Sequence, residues 1–227
     1  TLLLASTALL LALIGGTFLG VITARNPDGF FSNVVTILSL VGYSLPVFWA
    51  GLMIVILLAS WIPIFPVSGM RDILLEGTWW DHTLDVAHHL VLPAFTLAII
   101  FLALYSRLAR ASMLEVLESD YVRTARSKGL NETVVVGKHA LRNAILPVVT
   151  VAGLQFGSLL SGAILVETVF NWPGLGTLAF ESILRRDFPT ILGILLFSSI
   201  LVVVANILTD IAYQLIDPRI EIGENRV

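Results

Sequence analysis

Five long apolar stretches constrain the fold of this chain more than any other feature. A helix needs roughly 20 apolar residues to cross a bilayer core about 30 Å thick. Runs of this kind cover approximately residues 2–24, 34–62, 90–108, 146–166 and 189–216. Because a backbone in lipid must satisfy its own hydrogen bonds, such runs predict helices. The sequence therefore predicts an all-α polytopic membrane protein, with five transmembrane helices in a single domain over residues 1–227.

Composition supports this fold class and excludes several kinds of site. Hydrophobic residues make up 57% of the chain and charged residues 13%, whereas soluble domains carry about 25% charged residues. The sequence contains no cysteine, which excludes disulfides, thiolate zinc sites, cysteine nucleophiles and iron–sulfur clusters. A net charge of −3 gives no basic excess for binding nucleic acid. We expect no metal site, no cofactor and no nucleic-acid partner for this chain.

The connecting segments differ in their content of basic residues, and this asymmetry predicts the orientation. Ten Lys and Arg residues lie in residues 25–33, residues 105–147 and the tail from 217, against three in the two other segments. The positive-inside rule then places these three segments in the cytoplasm and Thr1 outside. The chain starts within an apolar run and without Met. We therefore expect the natural protein to be longer at its N-terminus, with one or more spans preceding this chain.

Helix breakers and small residues inside the apolar stretches are typical of membrane helices. The run from Gly42 to Pro46 predicts a kink near the middle of the second stretch, because neighbouring helices can satisfy a backbone group freed by proline. Small residues in the fourth stretch follow a small-xxx-small pattern, which allows close helix approach. That pattern fits either plain packing or a face that lines a translocation path. The candidate path residues are Ser44, Pro46, Gln155, Gly157 and Ser161.

Residues 112–145 form a charged insertion between two apolar stretches and carry most of the functional information. Ser112 and an apolar face predict a helix from about Met113 to Lys128. Gly129 is suited to end this helix, and Asn131 to cap a second one. The pattern predicts two short helices that meet at an exposed basic corner, which could also simply reflect contact with lipid headgroups. The basic residues just before that corner are Arg123, Arg126 and Lys128.

Other polar residues are weaker candidates for chemistry. A phosphate-binding loop ending at Lys138 would need glycine at Glu132 and Ser or Thr at His139, and no other stretch fits, so any ATP hydrolysis must take place on another chain. Imidazoles and carboxylates of the predicted outer loop could hold zinc or nickel, although histidines in a solvated loop usually do not. These residues are Asp81, His82, Asp85, His88 and His89. Polar groups within or beside apolar stretches are costly and often functional; they are Gln155, Glu167, Asn206 and Asp210.

The run Asp120–Leu130, followed by His139–Pro147, closely resembles the cytoplasmic loop of the membrane subunits of ABC importers. The resemblance is strongest to the dipeptide, oligopeptide and nickel permease branch of the binding-protein-dependent transport systems. In the wider superfamily this loop begins with Glu-Ala-Ala and has Gly four places after the second Ala. Here Arg123 and Thr124 take the first two places, while Ala125 and Gly129 match.

Motifs along nearly the whole chain extend this resemblance. They are Ser44-Leu45-Pro46, Leu92-Pro93-Ala94, Arg110-Ala111-Ser112-Met113-Leu114-Glu115, Glu167-Thr168-Val169-Phe170 with Trp172-Pro173-Gly174-Leu175-Gly176, and Asp217-Pro218-Arg219. Permeases of this type have six spans. The resemblance therefore implies that the chain holds spans two to six.

The resemblance also implies a function and a set of partners. The chain would be a non-enzymatic permease subunit in a prokaryotic cytoplasmic (inner) membrane, paired with a second homologous permease, two ATPase subunits and an external solute-binding protein. The ATPases would bind ATP and Mg, and the cargo would be peptides, similar small solutes or nickel chelates. The residues implied in coupling to the ATPase are Asp120, Tyr121, Val122, Arg123, Thr124, Ala125, Arg126, Lys128, Gly129 and Leu130, with Ala144, Leu146 and Pro147 at the loop end.

The implied role predicts specific contacts for side chains in the loop. Tyr121, Val122 and Ala125 would offer apolar contact to the ATPase, and the three basic residues before Gly129 would pair with its acids. Two alternatives come from other classes of protein. A self-sufficient secondary transporter or channel would need ion-coupling groups deep in several spans, and a membrane-embedded enzyme would need a catalytic set at membrane depth.

Overall fold

The structure is a computed structural model that describes residues 1–216, without the side chains of residues 156, 158, 160–162 and 212–216. The side chain of Ser161 and the motif Asp217-Pro218-Arg219 thus lie outside the described residues. The described part is helical and contains no strand. Its helices are α1 (Leu2–Arg25), α2 (Phe30–Ser44), α3 (Val47–Val55), α4 (Trp79–Leu117), α5 (Asp120–Ser127), α6 (Glu132–Val134), α7 (Leu141–Ala144), α8 (Leu146–Val169), α9 (Leu175–Arg185) and α10 (Phe188–Ile216).

Two π-helical segments continue these elements, Ile56–Trp61 after α3 and Val135–Ala140 between α6 and α7. By length and composition, three helices could each cross a membrane: α1, α4 and residues Phe188–Ile211 of α10. Two bent helix pairs raise the number of candidate spans to as many as five, Phe30–Ser44 with Val47–Trp61 and Glu132–Ala144 with Leu146–Gln155. The predicted all-α membrane fold is confirmed.

The second apolar stretch is interrupted where the sequence predicts only a kink. Helix α2 ends at Ser44, and α3 begins at Val47 after Pro46, whose backbone is extended (φ −60°, ψ 132°). The proline disfavours a helical conformation at Leu45, the residue before it. The Pro46 carbonyl then accepts the first hydrogen bond of α3, from the Ala50 amide at 3.0 Å. Residues 34–62 are therefore two helices and not one kinked helix.

The predicted helix Met113–Lys128 is also wrong, because α4 and α5 are separate. Helix α4 continues through Ser112 to Leu117, so Ser112 does not start a helix. The Ser119 hydroxyl donates a hydrogen bond to the Val116 carbonyl at 2.5 Å, and the Ser119 backbone is extended (φ −67°, ψ 150°). This side-chain bond competes with continued helix, as serine often does. Helix α5 therefore starts at Asp120.

The described residues form two compact units. The first comprises residues 1–11, 44–100 and 156–201, and the second comprises residues 12–43, 101–155 and 202–216. Within the second unit, α1 and α4 approach so closely that a Cβ on Gly16 would lie 2.8 Å from the Leu102 carbonyl oxygen. A Cβ on Gly20 would lie 2.6 Å from the Ser106 carbonyl oxygen. Glycines that let two backbones touch are a common basis of helix association in membranes.

We predict that Gly20→Ala destabilises the protein, because the new methyl group has no space against the α4 backbone. Overpacking of this kind costs about 1–3 kcal/mol, and the thermal midpoint of the detergent-solubilised chain should fall by several degrees. Gly193→Ala in α10 is the matched control, since a Cβ there meets nothing within 4 Å. Equal midpoints for the two variants would contradict the close contact between α1 and α4.

Candidate functional site

The corner predicted at Gly129 is present, and its backbone has the predicted conformation. Gly129 has φ +76°, and its amide donates a hydrogen bond to the Arg126 carbonyl at 2.9 Å. Glycine takes this left-handed conformation without the steric cost that a Cβ imposes. We use the name elbow for α5, the turn at Gly129 and the helical residues 132–144.

Asn131 caps the second arm of the elbow, as the sequence predicts. Its side-chain oxygen accepts a hydrogen bond from the Thr133 amide at 3.0 Å, and its carbonyl accepts from Val135 at 3.0 Å. Such a cap satisfies amides that the first helical turn leaves unpaired. Both arms of the elbow therefore have defined ends on either side of Gly129.

An apolar cluster holds α5 against the rest of the second unit. Val122 is fully buried and Ala125 is 6% exposed. They belong to a cluster whose other buried members are Ala24, Met113, Val135, Val136, Ala140 and Ala144. Burying a valine side chain contributes about 1.5–3 kcal/mol. The cluster thus fixes α5 to the end of α4 and to the second arm of the elbow.

This burial corrects the expectation that Val122 and Ala125 contact a partner protein. Their side chains are used inside their own chain, and of the predicted apolar contacts only Tyr121 is accessible, at 42% exposed. The Tyr121 hydroxyl accepts a hydrogen bond from the Asn143 side-chain amide at 2.8 Å. Tyr121 therefore joins the two arms of the elbow even though part of its ring faces outward.

Arg126 braces the turn through a forked contact with Glu132. Its Nη2 lies 2.8 Å from Oε1 of Glu132, and its Nε lies 3.2 Å from Oε2. These hydrogen bonds lower the pKa of Glu132 and raise the pKa of Arg126. Two parallel bonds fix the orientation of both groups more than a point contact does. Arg126 is thus paired within the chain, and its pairing with a partner stays a prediction.

The outward surface of α5 and of the turn that follows it carries the remaining predicted coupling residues. Asp120 and Arg123 are far apart for an ion pair, at 3.9 Å, and their side chains are 100% and 71% exposed. Thr124, Lys128 and Leu130 are also exposed. We call this set, with Tyr121, the outer face of α5. This face is basic, and the opposite side of α5 is buried in the apolar cluster.

The predicted loop end lies where the elbow meets α8. Ala144 is buried in the apolar cluster, and α8 begins at Leu146 with Pro147 in its first turn. Proline fits a first helical turn because the amide it lacks would be unpaired there. The elbow residues Glu132–Ala144 and the start of α8 meet at an angle of 43°. Displacement of the elbow would therefore move the start of α8.

A cavity of about 580 Å³ lies in the second unit, and the sequence does not predict it. Its residues are Thr23, Val35, Thr36, Ser39, Tyr43, Leu104, Ser106, Arg107, Leu108, Arg110, Ala111 and Leu114. The Arg110 guanidinium donates to the Thr36 hydroxyl at 2.7 Å and to the Pro27 carbonyl at 2.9 Å. Two features of the sequence could have indicated this cavity. One is a pair of arginines beside an apolar stretch, and the other is a row of hydroxyl-bearing residues spaced three and four positions apart on α2.

The candidate path residues do not line this cavity. Ser44 and Pro46 are exposed residues of the first unit, which also contains Gly157, while Gln155 is half-buried in the second unit. The side chain of Ser161 is outside the described residues. Their role in a translocation path stays a prediction.

Glu167 is fully buried in the first unit and has a structural contact. Its Oε2 accepts a hydrogen bond from the Thr177 amide at 3.0 Å, in the first turn of α9. The Glu167 carbonyl accepts from the Trp172 amide at 2.8 Å. A carboxylate at a helix N-terminus is favoured by unpaired amides and the helix dipole. Glu167 therefore closes the turn between α8 and α9.

The histidines of the predicted outer loop contact neighbouring groups in the first unit. His89 Nδ1 lies 2.9 Å from the Asp85 carbonyl oxygen and 3.1 Å from its Oδ1. His88 Nε2 lies 2.9 Å from the Ile64 carbonyl oxygen. Over residues 1–216, apart from the side chains left undescribed, no three His, Cys, Asp or Glu residues are grouped to hold a metal. The His88 contact holds the loop at Ile64 against the start of α4, whereas Asp85 and His89 both lie within α4.

We predict that Val122→Asp detaches α5 from its cluster. An unpaired buried carboxylate costs several kcal/mol, so trypsin cleavage after the basic residues of α5 in inverted membrane vesicles should become at least about tenfold faster. Thr124→Asp, at an exposed position of the same helix, is the control. If both variants were cleaved at the rate of the unsubstituted chain, the anchoring of α5 would be refuted.

Comparisons with known proteins agree with this fold and with the family that the sequence resembles. The chain is 42% identical over 221 residues to the oligopeptide transport system permease protein AppB of Bacillus subtilis, covering 97% of this chain and 69% of that protein. It is 41% identical over 237 residues to the dipeptide transport system permease protein DppB of Escherichia coli K12, covering 97% and 70%. The predicted likeness to dipeptide and oligopeptide permeases is confirmed.

A solved structure and a family description complete the comparison. The inward-facing MetNI methionine ABC transporter contains a chain with a TM-score of 0.62 at 14% identity, covering 93% of this chain and 94% of that one. At this identity the likeness concerns the fold alone. The family described as binding-protein-dependent transport system inner membrane component matches residues 16–222. The predicted inner-membrane location is confirmed, and the chain belongs to the family of binding-protein-dependent transport system inner membrane components.

Proposed function

We propose that this chain is the permease subunit of an ATP-driven importer of peptides or comparable small solutes, and that its elbow receives force from a separate ATPase subunit. The relatives that carry oligopeptide and dipeptide transport in their names support the cargo class. Nickel chelates are a narrower alternative cargo. The observation that carries the mechanism is the anchored helix α5, which presents a basic outer face while its apolar side is buried in its own chain.

The contacts of the elbow suit it for transmitting force. A load on the outer face of α5 passes through Val122 and Ala125 to Met113 near the end of α4. The same cluster contains Ala144, two residues before the start of α8. Packed side chains are close to incompressible and so transmit displacement. The Arg126–Glu132 fork and the Tyr121–Asn143 hydrogen bond oppose opening of the angle at Gly129.

The outer face of α5 also defines the chemistry of the ATPase surface that it would meet. Arg123 and Lys128 are exposed cations beside Tyr121 and Leu130. Complementary contacts would come from acidic side chains around an apolar pocket on the ATPase. In this arrangement ATP and Mg are bound by two ATPase subunits. The transporter is completed by a second homologous permease, an external solute-binding protein and the surrounding lipid.

The direct test is reconstitution of the complex in lipid vesicles with labelled dipeptide. Uptake should require ATP, the ATPase subunits and the solute-binding protein together. Uptake by this chain without ATPase subunits would instead identify it as a self-sufficient transporter or channel. Omission of the binding protein provides the matched control for leakage.

We predict that Gly129→Val impairs coupling and leaves membrane insertion intact. A Cβ on Gly129 meets nothing within 4 Å, so the penalty falls on the positive φ alone. That penalty is about 1–2 kcal/mol, which corresponds to a roughly 5- to 30-fold loss of the competent conformation. Uptake and stimulation of ATP hydrolysis should fall together, while the amount of protein in the membrane stays the same.

Two substitutions control this experiment. Gly137→Val adds the same side chain to the other arm of the elbow, also with nothing within 4 Å, but Gly137 does not have a positive φ. Gly129→Asn keeps a residue that tolerates the left-handed conformation. Both should retain most of the uptake. Normal uptake and normal ATPase stimulation in Gly129→Val would count against the elbow as the coupling element.

A further inference from the structure

The cavity in the second unit carries positive charge without a compensating carboxylate. Of the described residues that line it, two are arginines, Arg107 and Arg110, and none is acidic. They are three positions apart on α4, so they lie on the same side of that helix. The hydroxyl groups of Thr23, Thr36, Ser39, Tyr43 and Ser106 supply the rest of the polar lining. The cavity is therefore suited to an anion with additional polar groups.

Arg110 is held in place by neutral acceptors only. Its guanidinium is half-buried and donates to the Thr36 hydroxyl and to the Pro27 carbonyl. Neither acceptor neutralises its charge. A guanidinium near the apolar part of a membrane is costly unless an anion or water compensates it. Arg110 thus contributes a fixed positive field to the cavity.

Arg107 supplies the accessible charge of the cavity. Its side chain is exposed, and no hydrogen bond or ion pair joins it to any residue that the structure describes. A free guanidinium can bind a carboxylate through two parallel hydrogen bonds. Because Arg107 is exposed, such a contact would be weak and readily released. Weak, reversible binding of this kind suits a solute that passes through the cavity.

The hydroxyl groups of α2 distinguish a polar solute from a lipid tail. Thr36, Ser39 and Tyr43 follow one face of α2 over seven positions, which corresponds to about 10 Å along a helix. The Arg110 end of this row is next to the loop of Pro27, on the side that basic residues assign to the cytoplasm. An acyl chain gains nothing from a row of hydroxyl groups, whereas a peptide backbone can hydrogen-bond to Ser39 and Tyr43. The Thr36 hydroxyl already donates to the Ser32 carbonyl and accepts from Arg110, so it offers the peptide only its remaining lone pair.

We propose that this cavity is a subsite for the C-terminal carboxylate of a peptide passing towards the cytoplasm. Arg107 binds the carboxylate, Arg110 reinforces the positive field, and the hydroxyl row of α2 hydrogen-bonds to the peptide backbone. This inference rests on the proposed import of peptides. The permease would then select solutes by their carboxylate, in addition to any selection of solutes made outside the membrane.

The test is photo-crosslinking in the full transporter complex, held in lipid nanodiscs without nucleotide. The probe is alanyl-benzoylphenylalanine, used with a free carboxylate and as the C-terminal amide. The acid should label α2 or α4 about two- to fivefold more than the amide does, as expected for a charge pair at an exposed side chain. Arg107→Gln should remove this preference, Arg107→Lys should retain most of it, and Arg71→Gln, at an exposed position outside the cavity, should leave it unchanged.

Two results would overturn the inference. One is equal labelling by acid and amide in the unsubstituted complex, and the other is an unchanged preference in Arg107→Gln. The lipid composition is varied as a further comparison. Discs of phosphatidylcholine alone are compared with discs that also contain phosphatidylglycerol. Acid labelling that disappears in phosphatidylglycerol would show that a lipid phosphate occupies the cavity and would also overturn the inference. Equal labelling in both lipids supports it.

Peptide uptake separates this inference from the proposed function. Arg107→Gln should slow uptake of the free dipeptide into vesicles several-fold, while stimulation of ATP hydrolysis by the binding protein stays the same, because Arg107 is not part of the elbow. ATP-driven uptake without any preference for the acid in crosslinking would refute only the subsite. Absence of ATP-driven uptake in the unsubstituted complex would refute the proposed function itself.

Discussion

The side chains of Val122 and Ala125 are buried within their own chain, so α5 cannot shift without displacing the cluster that holds them. That cluster connects α5 to the end of α4, to the second arm of the elbow and to residues just before α8. A helix attached only by polar contacts at its surface could tilt independently, because exposed ion pairs contribute little. The packing therefore makes the elbow part of the membrane domain, and it leaves the outer face of α5 exposed.

In the rest of the second unit, close backbone contact packs α1 against α4, and polar residues line the proposed solute-binding cavity. Gly16 and Gly20 bring α1 against α4 with no side chain between them. On another side of α4, Arg107 and Arg110 line the cavity together with hydroxyl groups of α2. A rigid contact on one side and a polar cavity on the other give α4 two roles. It supports the elbow, and it contributes the charges of the proposed carboxylate subsite.

Local rules were sufficient to predict the apolar helices, the turn at Gly129 and the cap at Asn131, because each depends on residue types close in sequence. The break at Ser119 was missed, since a side-chain bond to Val116 outweighed a continuous helical pattern. The burial of Val122 and the fork between Arg126 and Glu132 depend on how the two arms pack. The cavity depends on the relative placement of α1, α2 and α4, which no spacing within one segment encodes.

In the proposed mechanism, the outer face of α5 receives the ATPase. Since the chain contains no cysteine, a nitroxide attached to Thr124→Cys can report on this face, with Glu181→Cys on α9 as the control. Continuous-wave electron paramagnetic resonance spectra would be recorded in lipid nanodiscs before and after ATPase subunits are added. We expect immobilisation of the label at position 124 and no change at 181. An unchanged spectrum at 124 in the assembled, ATP-hydrolysing complex would show that the ATPase does not bind this face.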